Sequence, residues 1–202
     1  ETFKSAIESH QKNNLEVAED LYNQILKIDP NYVGAINNLG VLFKSLGKDQ
    51  KAKVCYEKAI TINSNHTDAH NNLGVIFKEL KEHQKAKDCF EKVIKIDPNH
   101  INALNNLGAV LQDLGEHQKA KDCFEKVIKI DPNYVAAFNN LGSIFFESGE
   151  YQKAEDYYKK AIVVKPNYAN SLNNLGSTYL ELEEYHKAKS CYEKAIEISP
   201  NF

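Results

Sequence analysis

The chain has 202 residues, 42% of them hydrophobic and 26% charged, with a formal net charge of −3. That balance supplies the apolar side chains of a folded core and excludes the strongly basic face that nucleic-acid binding uses. No apolar run reaches the ~18 residues of a membrane span, and Glu1-Thr2-Phe3-Lys4 does not open a signal peptide, so no membrane partner is expected.

In chain order, the first elements (1–32) form a partial unit that starts inside a helix, with Ala6 where later units carry glycine. Five full units follow, at 33–66, 67–100, 101–134, 135–168 and 169–202. Asn-Asn-Leu-Gly returns in each, at 37–40, 71–74, 105–108, 139–142 and 173–176. Alanine returns at Ala18, Ala52, Ala86, Ala120, Ala154 and Ala188. Proline returns at Pro30, Pro98, Pro132, Pro166 and Pro200, with Ser64 in the one gap. The run from Glu82 to Asn99 is repeated letter for letter from Glu116 to Asn133. Self-similarity at a fixed 34-residue period means stacked supersecondary units, here one array over 1–202.

Each unit predicts two amphipathic helices. In the third, Leu73, Ile76, Phe77 and Leu80 keep helical spacing, and so do Ala86, Cys89, Phe90 and Val93. Short polar breaks separate the two, with Gly47, Gly115 and Gly149 at matching points and Lys81 and Glu183 in the remaining units. The second helix should stop before Asp97-Pro98, since proline disfavours helical geometry in the residue before it. Asn99 is then expected to cap the next helix. The glycine after the recurring leucine (Gly40, Gly74, Gly108, Gly142, Gly176) costs about 1 kcal/mol of helix propensity against alanine. Its persistence there points to a close helix–helix contact.

The remaining chemistry-bearing residues favour packing over catalysis. Cys55, Cys89 and Cys123 fall 34 residues apart and Cys191 lies 68 further on, so they occupy equivalent helices. Packed helices sit ~8–10 Å apart, too far for a disulfide. Buried, reduced thiols are expected, consistent with a cytoplasmic, reducing compartment. His66 and His70 lack a third ligand. His83 and His117 share a position with Tyr151 and Tyr185 and read as packing residues, so no metal is expected. No phosphate loop, nucleophile elbow or carboxylate pair occurs, so neither cofactor nor catalytic residue is expected and the chain reads as a non-enzyme. Lys119, Lys121, Lys126 and Lys129 alternate with acids and read as a solvated outer face.

These residues closely resemble the tetratricopeptide repeat family. Its pattern is matched in the fourth unit by Leu104, Leu107, Gly108, Leu111, Ala120, Phe124, Val127 and Pro132. The fifth matches it with Phe138, Leu141, Gly142, Phe145, Ala154, Tyr158, Ala161 and Pro166. Leu111, Ser64, Lys81 and Glu183 depart from it mildly. The resemblance implies an all-α, right-handed superhelical solenoid of antiparallel helix pairs, whose first helices line a concave groove. The start within a helix and the end at Pro200-Asn201-Phe202 read as a segment of a longer array with uncapped ends, through which self-association is a possible mode.

By the same resemblance the groove stripe runs through five first helices. It comprises Gly34, Asn37, Val41, Lys44 and Ser45, then Asp68, Asn71, Val75, Lys78 and Glu79. Next come Asn102, Asn105, Ala109, Gln112 and Asp113, then Ala136, Asn139, Ser143, Phe146 and Glu147. Asn170, Asn173, Ser177, Leu180 and Glu181 close it. Two lysines face five carboxylates, and Phe146 and Leu180 make the later part more apolar. Asparagine is a mediocre helix former, yet ten recur in mid-helix pairs: Asn37 with Asn38, Asn71 with Asn72, Asn105 with Asn106, Asn139 with Asn140, and Asn173 with Asn174. An amide both donates and accepts, so it can hold a peptide backbone whatever its side chains. The second asparagines are similar to the asparagine ladder in the repeat arm of O-linked N-acetylglucosaminyltransferases. Alternatively, one of each pair bonds neighbouring helices. The clamp that other repeat domains use for chaperone C-termini is not matched, because Val41, Val75 and Ala109 stand where lysine or asparagine would be needed. The expected function is a protein-interaction scaffold that holds a peptide through these asparagines with Lys44, Lys78 and Phe146. The alternatives are the substrate-recognition arm of a larger enzyme, such as a glycosyltransferase, and a self-assembly module.

Overall fold

The 34-residue period resolves into paired helices throughout the computed structural model, which describes residues 1–200. Asn201 and Phe202, the end of the sixth predicted unit, lie outside the described residues. The elements run α1 (Thr2–Gln11), α2 (Leu15–Ile28), α3 (Val33–Ser45), α4 (Asp49–Ile62), α5 (Thr67–Glu79), α6 (His83–Ile96), α7 (Ile101–Asp113), α8 (His117–Ile130), α9 (Val135–Glu147), α10 (Tyr151–Val164), α11 (Ala169–Glu181) and α12 (Tyr185–Ile198). The described residues contain no strand, and the class is all-α. Two compact units divide the chain, Glu1–Ala103 and the part from Leu104 on, with their boundary inside α7.

In the first unit α1 packs on α2, α3 on α4 and α5 on α6; in the second, α9 packs on α10 and α11 on α12. Small residues let these pairs close up. A Cβ on Gly74 would lie 2.7 Å from the Phe90 ring, and one on Gly142 would lie 2.6 Å from the Tyr158 ring. The close contact expected at the recurring glycine is therefore real, and the helix gives up propensity to admit a buried aromatic ring. Ala18, Ala52, Ala86, Ala120, Ala154 and Ala188 are buried on the second helices for the same steric reason. First helices also touch the first helix of the next repeat (α1 with α3, α3 with α5, α9 with α11). Among the described residues no second helix comes this close to the next second helix.

The short turn inside each pair is a left-handed helix stop. Gly47, Gly115 and Gly149 have φ of 68°, 75° and 77°, and Lys81 and Glu183 take 59° and 60° at the same point. The Glu82 N–H donates to the Phe77 carbonyl at 2.9 Å and the Lys81 N–H to the Lys78 carbonyl at 3.0 Å, which satisfies the last carbonyls of α5. A side chain at positive φ costs about 1–2 kcal/mol. Lys81→Gly is therefore expected to raise stability by about 1 kcal/mol, read as a higher denaturant midpoint at unchanged m-value.

Between repeats the structure departs from one expectation. Asn99 does not cap α7; its N–H donates to Asp97 Oδ1 at 3.0 Å, a side-chain turn across Pro98. The same turn recurs at Asn31 on Asp29, Asn65 on Asn63 and Asn133 on Asp131. The cap falls one residue later, on histidine: His66 Nδ1 accepts from the Ala69 N–H at 3.1 Å, and His100 Nδ1 from the Ala103 N–H at 3.2 Å. Tyr32, Tyr134 and Tyr168 hold that position elsewhere without a side-chain cap.

Three surface readings also change. The cysteines are half-buried rather than buried, and burial pushes the Cys89 thiol up to about 11. That holds it in the protonated, poorly nucleophilic form at neutral pH. Lys121 is not simply solvated, because its Nζ stands 4.3 Å over the Phe145 ring centroid. In the first unit, Lys53 and Lys85 flank Phe77 in the same way at 5.1 and 5.4 Å. These long stems cover apolar rings while their ammonium groups stay wet. Finally, His117 and Tyr185 are exposed rather than packed. No described helix is long and apolar enough to cross a membrane.

Candidate functional site

The candidate face of each unit is carried by its first helices, whose 3.6-residue turn brings positions 37, 41, 44 and 45 of α3 onto one side. Asparagines line its middle, and many of them bond one another. In the first unit, Asn72 Nδ2 donates to Asn37 Oδ1 at 3.4 Å, and Asn37 Nδ2 donates to Asn38 Oδ1 at 3.3 Å. In the second, Asn140 Nδ2 donates to Asn105 Oδ1 at 3.3 Å and Asn174 Nδ2 to Asn139 Oδ1 at 3.1 Å. In all three of these inter-repeat bonds the second asparagine of one repeat donates to the first asparagine of the repeat before it, whereas Asn71 Oδ1 is buried without a hydrogen-bond partner.

These bonds divide the pairs by burial. Asn37 is 5% exposed and Asn139 is 9% exposed, close to core values. Asn139 Oδ1 also accepts from the buried Ser171 hydroxyl at 2.9 Å, so two donors converge on it. Asn71, Asn105 and Asn173 are half-buried, as are all the second asparagines, Asn38, Asn72, Asn106, Asn140 and Asn174. An amide has two N–H donors and two acceptor lone pairs. One inter-repeat bond fixes it while leaving capacity toward solvent.

The charged and apolar members of the site differ between the units. Lys44 is held between two carboxylates, Asp49 at 3.1 Å and Glu79 in a shorter contact. The Glu79 bond is the main reason the Lys44 ammonium stays above its ordinary pKa, with desolvation opposing and Asp49 adding to it. Lys78 is half-buried on α5. In the second unit, Gln112 Nε2 donates to Glu147 at 2.7 Å, across the same 35-residue step that separates Lys44 from Glu79. Phe146 is half-buried against the core of Ala154, Tyr158 and Leu175, with its ring centroid 5.5 Å from that of Tyr151. Leu180 is 45% exposed.

Hydroxyls finish the face on this side. Tyr158 donates to Ser143 Oγ at 3.2 Å, and Ser177 pairs with the Tyr192 hydroxyl at 3.0 Å. Burial raises the Tyr158 hydroxyl pKa, so it remains a donor at neutral pH. Asp49, Ser171 and Tyr192 were not singled out from sequence, and Tyr151 only as a position shared with His83 and His117. Ser171 had a legible signal, since alanine fills its place at Ala35, Ala69, Ala103 and Ala137. Among the described residues no group of three or more His, Cys, Asp or Glu is placed to hold a metal ion.

Comparison with known proteins places this geometry. The family profile described as Tetratricopeptide repeat matches residues 34–66, 65–133, 99–165 and 134–201. No curated protein matches the chain in sequence. Among solved structures, the crystal structure of MamA is similar at 27% identity and a TM-score of 0.72, covering 81% of this chain and 96% of that one. YrrB, described as a tetratricopeptide repeat protein with an unusual peptide-binding site, is 23% identical with a TM-score of 0.69, covering 89% of this chain and 93% of its own. PilW, described as a widely conserved type IV pilus biogenesis factor, shares the fold at 19% identity and a TM-score of 0.88, covering 100% of this chain and 93% of its own.

Proposed function

The chain belongs to the tetratricopeptide repeat family, and on that premise we propose that its first-helix face holds an extended segment of a partner protein. The supporting observation is the row of inter-repeat amide bonds, Asn72 to Asn37, Asn140 to Asn105 and Asn174 to Asn139. Each bond fixes an amide before any ligand arrives, so binding does not spend free energy on freezing that side chain. The unused N–H and C=O of half-buried amides can then replace water around a peptide backbone. Backbone groups are alike in every peptide, so these contacts tolerate sequence, and discrimination falls to Lys44, Lys78 and Phe146 beside the row. A peptide-binding site named for YrrB, a structure of the same fold, agrees with this reading.

The test is selection from a displayed library of random peptides, followed by affinity measurement on the synthesised winners. Asn72→Ala, Asn106→Ala and Asn140→Ala together are expected to weaken binding at least about tenfold. Helicity should be kept, because all three side chains are half-buried and the bonds lost at Asn72 and Asn140 are each worth a net ~1 kcal/mol. Unchanged affinity in a folded triple variant would remove the asparagine row from the site.

A further inference from the structure

The acidic column beside the asparagines changes character along the chain. Glu79, Asp113, Glu147 and Glu181 repeat at 34-residue intervals on successive first helices. Glu79 is neutralised by Lys44. The position that supplies that lysine carries Gln112 and then Phe146 in the second unit. Glu147 is accordingly held by a neutral amide, Gln112 Nε2 at 2.7 Å, and Glu181 lies against the neutral Tyr151 hydroxyl. Both carboxylates are exposed, and among the described residues neither forms an ion pair with a lysine.

The cations around them are engaged elsewhere. Lys121 lines a small recess with His117 and Glu147, but its ammonium sits over the Phe145 ring. Lys153 is bonded to Glu150 and Lys187 to Glu184. Apolar residues directly precede the two acids: Phe146, whose ring pairs with that of Tyr151, and Leu180 at 45% exposure. A cation over such rings gains further attraction.

From this charge pattern, and resting on the peptide-binding reading above, we infer that the second unit takes a basic segment with an apolar centre. Glu147 and Glu181 bind two arginine or lysine side chains of the ligand, and Phe146 with Leu180 seats the apolar residue between them. Neighbouring first helices stand roughly 10 Å apart, which an extended chain covers in about three residues. The motif is thus two basic residues about three positions apart.

Glu147→Gln with Glu181→Gln removes both charges and keeps side-chain size at exposed positions. Random peptides selected on the unaltered protein are expected to be enriched in paired Arg or Lys around an apolar residue. The best of them should bind the double variant about tenfold more weakly, and the difference should shrink as salt is added. Selected peptides without a basic excess, or with equal affinity for the double variant, would overturn the inference. If such peptides still lose binding to the asparagine triple variant, the peptide-binding reading stands and only the charge assignment falls. If nothing is selected, or the winners ignore both sets of substitutions, both fall together.

Discussion

Phe90→Ala is expected to lower stability by about 3–5 kcal/mol, the ordinary cost of deleting a buried phenylalanine. The ring is fully buried, and it fills the space in which Gly74 lacks a side chain. Emptying it leaves a cavity lined by helix backbone, which collapses less readily than one lined by flexible side chains. Against a typical total of ~5–15 kcal/mol, such a loss would open the α5–α6 pair before its neighbours, given the near-neighbour coupling of repeat arrays. Hydrogen exchange should report it as lost protection in α5 and α6. The cause is separable by a second substitution. In the unaltered protein, Gly74→Ala drives a Cβ to 2.7 Å from the ring, and overpacking of that kind costs about 1–3 kcal/mol. In the Phe90→Ala background the clash is gone, and alanine should contribute up to about 1 kcal/mol of helix propensity. A sign reversal between the two backgrounds is the expected signature of a glycine retained for the ring; additive costs would count against it.

The second large effect is expected at Asn139. Asn139→Ala should cost about 2–3 kcal/mol, because it strands the fully buried Ser171 hydroxyl and the Asn174 amide that both donate to Asn139 Oδ1. Adding Ser171→Ala should recover much of that loss, since removing both partners of a buried hydrogen bond is far cheaper than removing one. Four other repeats already carry alanine at the Ser171 position, so Ser171→Ala by itself only restores their local pattern. Denaturant midpoints of the two single variants and the double variant measure the coupling. A result with no recovery would mean that Asn139 acts through something other than Ser171. Within the Asn139–Asn140 pair the outcome would divide labour: the buried Asn139 carries stability, and the half-buried Asn140 remains available to a ligand.

Much of the architecture was legible because it depends on one helix at a time. Helical spacing in Leu73, Ile76 and Phe77 specifies which face is buried, and the recurring Gly-to-aromatic pairing specifies how closely two helices approach. Proline after Asp97 specifies where α6 stops, and it does stop at Ile96. The cap was misplaced because preference tables rank asparagine above histidine, whereas the Asp97–Asn99 side-chain turn already occupies Asn99 and delivers His100 to the capping position.

The site was legible only as a set of residue types. The family resemblance implies asparagine, lysine and carboxylate on one face, but it cannot say which atoms of neighbouring helices meet. That depends on ångström-scale offsets between helices, which are set by packing across both helix layers. Hence the bond from Asn72 to Asn37, the enclosure of Lys44 by Asp49 and Glu79, and the neutral partners of Glu147 and Glu181 emerge only once the helices are stacked. Sequence sets the period, the pairing and the buried faces, because these follow from local geometry and hydrophobic burial. Tertiary packing sets the hydrogen-bond partners, because a bond a few tenths of an ångström too long is lost, while a hydrophobic contact at the same error survives.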